Sequence, residues 1–205
     1  MKSFLLIVST ILLLTGCNDV SLSSKANDIG IVEEKTLVIN ATEILKEDLV
    51  LNQLEGRWYY NNQLYSGYSV RYYPNDTLAE KIGYHLGKRE GITKKWSENG
   101  VLRIESHYKD NRLDNVYKSW WENGTLAAQS NYVDGVKQGI EQEWYPTGQL
   151  AKKRQLVDGN ENGLQQAWLE NGKLYVNYET KNGRIFGMRK ANSCYKLEDE
   201  TIIRN

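Results

Sequence analysis

From about residue 52 to residue 187 the chain alternates apolar and polar positions in short runs, and the alternation is itself periodic. An aromatic recurs every 24 residues at Tyr72, Trp96, Trp120, Trp144 and Trp168, and a leucine keeps the same interval at Leu78, Leu102, Leu126, Leu150 and Leu174. Short period-two runs bounded by Asn-Gly and Asp-Gly pairs predict strands joined as hairpins. Glycine or asparagine keeps the beat at Gly67, Gly91, Asn115, Gly139, Gly163 and Gly187. Two columns read as turns: Asp76, Gly100, Gly124, Gly148 and Gly172 form one, and Gly87, Asn111, Gly135, Gly159 and Gly183 the other. A fixed period between about 20 and 50 residues marks a repeat array. Asn52-Gln53-Leu54 aligns with Asp76-Thr77-Leu78 and Tyr60 with Tyr84, so half a copy precedes the first full one and the array is expected over 52–187.

Turn length decides which residues share a face. A two-residue turn at Asn99-Gly100 would set Ser97 beside Leu102, whereas a three-residue loop, Glu98-Asn99-Gly100, with Gly100 left-handed pairs Trp96 with Leu102. The second choice gathers the apolar residues, and register follows the hydrophobic pattern. The same reasoning at Lys109-Asp110-Asn111 places Tyr108 on that face. Extended along the array, even-numbered residues such as Ile92, Trp96, Leu102, Ile104 and Tyr108 form an apolar face, and odd-numbered ones such as Arg103, Glu105 and His107 a polar one. The expected fold class is all-β: an elongated single-layer antiparallel β-meander of 24-residue hairpin repeats. At about 4.8 Å per strand it would run about 50 Å. Tyr72, Trp96, Trp120, Trp144 and Trp168 are read as structural aromatics packed on their own sheet. Tyr73, Trp121 and Tyr145, on the exposed odd side, are the candidate binding face.

Outside the array the chain changes character. Lys2 precedes an apolar run, Phe4 to Leu14, too short to span a bilayer and the right size for a signal-peptide core. The run ends in Leu14-Thr15-Gly16-Cys17, which resembles the lipobox of bacterial lipoproteins. That resemblance implies cleavage after residue 16 and lipidation of Cys17, which would anchor the chain to a membrane of the cell envelope; inner, outer and surface locations stay open. The expected organisation is a signal peptide over 1–16, the lipidated Cys and a Ser/Asn-rich tether over 17–28, a cap or cover segment over 29–51, the array over 52–187 and a C-terminal cap and tail over 188–205. Within the cap segment Thr36 to Asn40 reads as a strand and Glu43 to Asp48 as a short helical turn. Cys194 is either a small buried residue of the terminal cap, the preferred reading, or a free thiol.

Charge and composition narrow the chemistry. The 26 basic and 26 acidic residues balance, which argues against a nucleic-acid partner, because backbone binding needs a basic surplus. Fourteen Tyr and six Trp against two Phe and two Met suit thin, half-wet sheets better than thick cores. His85 and His107 fall in different columns without metal-spaced partners, and no Gly-x-Ser-x-Gly nucleophile motif occurs. The glycines recur as turn punctuation. No catalytic residue, metal or cofactor is expected, and the chain reads as a non-enzyme.

Gly91…Trp96…Asn99-Gly100…Leu102…Tyr108, Asn123-Gly124…Leu126…Tyr132-Val133-Asp134-Gly135 and Gly163…Trp168…Asn171-Gly172…Leu174 resemble the MORN-repeat variant family, whose members are often labelled antitoxins of the YwqK type. The resemblance covers about 52–187, with departures at Asp76, Asn115, Thr147 and Leu156. It implies a single-layer β-sheet array with a scaffold or binding role. Combined with the anchor, the expected function is a membrane-attached lipoprotein whose sheet is an interaction platform for a protein or a glycan or other envelope polymer. The alternative is an immunity or antitoxin protein that neutralises a partner toxin.

Overall fold

A computed structural model describes residues 39–188. The expected signal peptide, Cys17, the tether, most of the expected strand at Thr36 to Asn40, and Cys194 lie outside the described residues.

The chain is almost entirely β. Eleven consecutive strands pair in chain order: β5 (Gly67–Tyr72), β6 (Leu78–His85), β7 (Lys88–Trp96), β8 (Leu102–Lys109), β9 (Arg112–Trp120), β10 (Leu126–Val133), β11 (Val136–Trp144), β12 (Leu150–Val157), β13 (Asn160–Trp168), β14 (Leu174–Lys181) and β15 (Arg184–Met188). All of these pairs are antiparallel, as the repeat predicts. β1 (Glu43–Leu45) joins the outer edge of β5 in parallel, so the 12-stranded sheet is mixed rather than purely antiparallel. The expected helical turn at Glu43 to Asp48 resolves into this strand followed by a 3-10 turn, Lys46–Asp48.

The longer loops fold as their sequence implies. Gly100 is left-handed at φ 80, its N–H bonds the Ser97 carbonyl at 2.9 Å and the Ser97 N–H bonds the Val101 carbonyl at 2.8 Å. Trp96 therefore opposes Leu102, and the same pairing recurs at Tyr72–Leu78, Trp120–Leu126, Trp144–Leu150 and Trp168–Leu174. The shorter turns differ from expectation. Lys109 opposes Arg112 across a two-residue turn, and Tyr108 opposes Leu113. Asp110 and Asn111 have φ 50 and 70. Two successive left-handed residues make a type I′ turn, whose twist matches that of the strands it joins, so the three-residue loop is not used.

Bulges overturn the even-and-odd assignment of faces. Lys95 opposes Ile104 while Trp96 opposes Leu102, so Arg103 is an extra residue on its strand. Ile104 and Tyr108 are thereby sent to the face opposite Trp96, and the same slip recurs after Leu78, Leu126, Leu150 and Leu174. A second irregularity lies at the recurrent glycine or asparagine, which sits inside a strand rather than in a turn. Gly91, Asn115, Gly139 and Gly163 have φ between 68 and 95, and the ladder shifts register beside them. Asn115 holds this position because asparagine tolerates the left-handed region better than other non-glycine residues.

The apolar residues are consequently shared between two faces. One, the Trp face, carries the Trp–Leu pairs with Ile92, Val116, Ile140 and Leu164. The other, the Tyr face, carries Tyr84, Tyr108, Tyr132 and Leu156. Across the middle of the Tyr face runs a line of mostly polar residues in register: Ser69, Ile82, Thr93, Ser106, Tyr117 and Ser130, then Glu141, Arg154, Gln165 and Tyr178.

A second sheet covers the start of the Tyr face. Residues 50–64 form β2 (Val50–Asn52), β3 (Arg57–Tyr60) and β4 (Gln63–Leu64), which pair among themselves. The half copy that aligns with the array in sequence thus folds back on it, because β1 already occupies the edge of β5. Leu49, Tyr65, Ile82 and Tyr84 are buried between the layers, with Ile44, Trp58 and Tyr60 packed around them. Trp58 and Tyr65 each meet the Tyr84 ring at a centroid distance of 5.9 Å. Burial pushes the Tyr65 phenol up to about 12. Behind this cap, on the other face, Ile39 lies where Gly83 leaves room: a Cβ there would stand 2.5 Å from Ile39 Cδ1 and 2.4 Å from the Glu90 carbonyl oxygen.

Candidate functional site

The two rims of the sheet are stitched from repeat to repeat. Tyr73, Trp121 and Tyr145 occupy the first position of the longer loops, not a strand face. The Tyr73 hydroxyl donates to the Trp96 carbonyl at 2.9 Å, the Trp121 indole N–H to the Trp144 carbonyl at 2.9 Å, and the Tyr145 hydroxyl to the Trp168 carbonyl at 3.0 Å. Asn75 and Asn123 add donations to the Glu98 and Pro146 carbonyls at 3.1 and 2.8 Å. In two other copies the aromatic is replaced, by Leu169 and by Ser97; Ser97 donates to Glu122, which also receives Asn99 and Arg103, and those hydrogen bonds hold its carboxyl below the usual glutamate range. On the opposite rim the N–H groups of Asn111, Gly135 and Gly159 reach the carbonyls of Arg89, Leu113 and Lys137 at 3.0, 2.7 and 3.0 Å. The three sequence candidates therefore line one rim, with their polar atoms used between neighbouring repeats.

The Trp face is the more open one. Trp96, Trp120, Trp144 and Trp168 are half-buried against their leucine partners, whereas Ile92 and Leu164 are 42 % and 46 % exposed. From β7 to β14 the principal contacts of each strand are with its two sheet neighbours. The Trp face thus presents an aromatic column and an aliphatic column at a spacing of roughly 10 Å per repeat, with charged pairs such as Lys94–Glu105 at 3.0 Å between them.

On the Tyr face the polar line becomes charged at β11 and β12. The Glu141 side chain is only 5 % exposed and pairs with both Lys137 and Arg154, while Ser130 Oγ donates to it at 3.2 Å. Burial alone would push the Glu141 carboxyl up, but Lys137 and Arg154 together hold it below the usual range. Glu143 accepts from Lys152 at 2.8 Å and lies 3.6 Å from Arg154. Sequence reasoning missed this network. Its signal was available in the columns: Glu141 stands where other copies have Ser69, Thr93, Tyr117 and Gln165, and Arg154 where they have Ile82, Ser106, Ser130 and Tyr178. Beside the network, β12 to β14 border a groove of about 470 Å³ lined in part by Arg154, Gln165 and Tyr178. Among the described residues no group of three or more His, Cys, Asp or Glu side chains is placed to hold a metal ion.

Residues 89–110, 113–134 and 137–158 match the family described as MORN repeat variant. These three segments coincide with the hairpins β7–β8, β9–β10 and β11–β12. No curated protein matches the chain.

Proposed function

We propose that this chain is a non-enzymatic lipoprotein of the cell envelope, attached to a membrane through Cys17, whose repeat sheet is a platform for another protein or an envelope polymer. The observation that supports this most is the Trp face: side chains of one type recur at one pitch on a surface that neighbouring strands leave open, with both rims locked so that the pitch is kept. Extended periodic surfaces of this kind are what repeat arrays use for binding. The lipobox-like Leu14 to Cys17 supports the anchor. Acyl chains contribute about 0.8 kcal/mol per buried CH₂, enough for several chains to hold a protein at a membrane.

The test uses the full-length protein in cells. A photo-crosslinking residue in place of Ile140 is expected to capture a discrete partner, and Leu164→Lys to abolish that capture; a crosslinking pattern indifferent to Leu164→Lys would refute the platform. Cys17→Ala is expected to release the protein from the membrane fraction, and continued membrane residence would refute the anchor. An antitoxin role is the alternative, with a toxin as partner; it requires toxicity when this gene alone is deleted.

A further inference from the structure

The two-residue turns of the array are tied to the preceding repeat by two bonds each, except the last. In four of them the N–H of the first turn residue donates to a side chain: Leu86 to Ser66, Asp110 to Glu90, Asp134 to Asp114 and Asp158 to Gln138, at 2.8–3.3 Å. The N–H of the second reaches a carbonyl: Gly87 to Tyr65, Asn111 to Arg89, Gly135 to Leu113 and Gly159 to Lys137, at 2.7–3.0 Å. The fifth turn, Asn182-Gly183, is left-handed like the others, at φ 51 and 71. Among the described residues neither of its N–H groups, nor the Asn182 side chain, has a hydrogen-bond partner.

That freedom falls on a reactive dipeptide. An asparagine side chain can be attacked by the nitrogen of the next residue, and glycine, with no Cβ, hinders the approach least. Asn-Gly occurs at Asn99, Asn123, Asn162, Asn171 and Asn182. The N–H groups of Gly100, Gly124 and Gly172 are bonded to the Ser97, Trp121 and Leu169 carbonyls at 2.9, 2.9 and 2.8 Å. Asn99 and Asn123 are also held by their amides, to Glu122 and the Pro146 carbonyl. Gly163 lies within β13, in register with Thr180. Two hydrogen bonds of ordinary strength lower the open population of a turn about tenfold or more. The turn at Asn182 lacks both.

We infer that Asn182 is a site of spontaneous deamidation and isomerisation, with water as co-reactant. The Gly183 nitrogen, losing its proton to water, bonds to Asn182 Cγ; the Cγ–Nδ2 bond breaks and ammonia leaves. Water then opens the succinimide. Breaking its bond from Cγ to nitrogen gives aspartate, and breaking the one from the backbone carbonyl carbon gives isoaspartate. Aspartate fits, since Asp134 and Asp158 hold that position in their own copies. Isoaspartate adds a carbon to the backbone of a turn whose length sets the pairing of Lys181 with Arg184. Among the described residues β15 has β14 as its one paired neighbour, so this change frees it. With it goes Phe186, 54 % exposed and in register with Leu164 through Glu179. The inference goes beyond the platform reading and does not depend on it.

Ageing the detergent-solubilised full-length protein in mildly alkaline heavy-oxygen water, followed by peptide mapping, tests it. Asn182 is expected to deamidate at least about tenfold faster than any other Asn-Gly pair. Its product should carry heavy oxygen, and part of it should be methylated by an isoaspartyl methyltransferase. In urea the lead of Asn182 is expected to vanish. The β15 amides should exchange faster in the aged protein, and those of Asn182→Asp as slowly as in the fresh parent. Ageing at Asn182 no faster than at the other pairs, a lead that persists in urea, or a product without isoaspartate would overturn the inference. So would β15 exchange that ageing leaves unchanged, or an Asn182→Asp variant as labile as the aged protein.

Discussion

Arg154→Ala isolates the buried charge on the Tyr face. Arg154 is one of two cations matched to Glu141, whose side chain is 5 % exposed against 30 % for Arg154. Removing one partner of a fully buried pair costs about 3–5 kcal/mol, because the remaining charge is left in a poor medium. Here Lys137 stays beside Glu141, and Arg154 is partly solvated, so the expected cost falls to about 2 kcal/mol. Replacing both charges, as Glu141→Leu with Arg154→Met, removes the desolvation together with the attraction and is expected to return to within about 1 kcal/mol of the parent. A repeat array need not unfold in one step, so the sensitive assay is native-state hydrogen exchange of the β11 and β12 amides, which reads local opening. About 2 kcal/mol appears there as roughly thirtyfold faster exchange in the single variant. A change under about threefold, or a double variant as labile as the single one, would refute the assignment of Glu141 as a buried charge held by its cations.

Three further outcomes are expected. The stability supplied by Glu80 and Glu141 has a defined pH sense. Both carboxyls lie below the ordinary value of 4.5 when folded, since paired lysines and, at Glu141, Arg154 outweigh the burial that raises them. The unfolded chain therefore binds more protons near that pH, so this stability is complete above about pH 5.5 and is lost as pH falls through the folded values. Glu80→Gln with Glu141→Gln should flatten the acid limb of a thermal-midpoint profile, and an unchanged limb would contradict the pairing. Tyr145→Phe keeps the ring but loses the 3.0 Å bond to the Trp168 carbonyl, and about 1 kcal/mol of local stability should disappear from the exchange of the loop between β13 and β14. Gly139→Ala places a side chain at φ 76 with nothing within 4 Å of its Cβ, so its expected cost of about 1–2 kcal/mol is conformational. Gly139→Asn should cost much less in denaturant unfolding, because Asn115 occupies the same position of its own copy.

Much of this molecule follows from local chemistry. The period, the strands, the left-handed Gly100 and the pairing of Trp96 with Leu102 are legible because each depends on residues a few positions apart. The type I′ turn at Asp110-Asn111 is legible in principle, since both residues tolerate positive φ, but the hydrophobic pattern taken alone favours the longer loop, which gathers the apolar residues on one face. Tyr73, Trp121 and Tyr145 read from the sequence as exposed aromatics of one sheet face, and their spacing does not reveal that they open the longer loops and turn their polar atoms to the carbonyls of the next repeat.

The sequence by itself determined that the chain repeats, how long each copy is and where it turns, because turn chemistry and strand pattern are local. Only the tertiary structure decided which residues share a face. One extra residue after each leucine reverses the alternation while leaving its period untouched. The same holds for the cap: residues 52–64 match the repeat, but the edge of β5 is paired with β1, and they lie over Tyr84 instead. The line from Ser69 to Tyr178, with the charge pair and the groove it leads to, exists only once the strands are laid side by side.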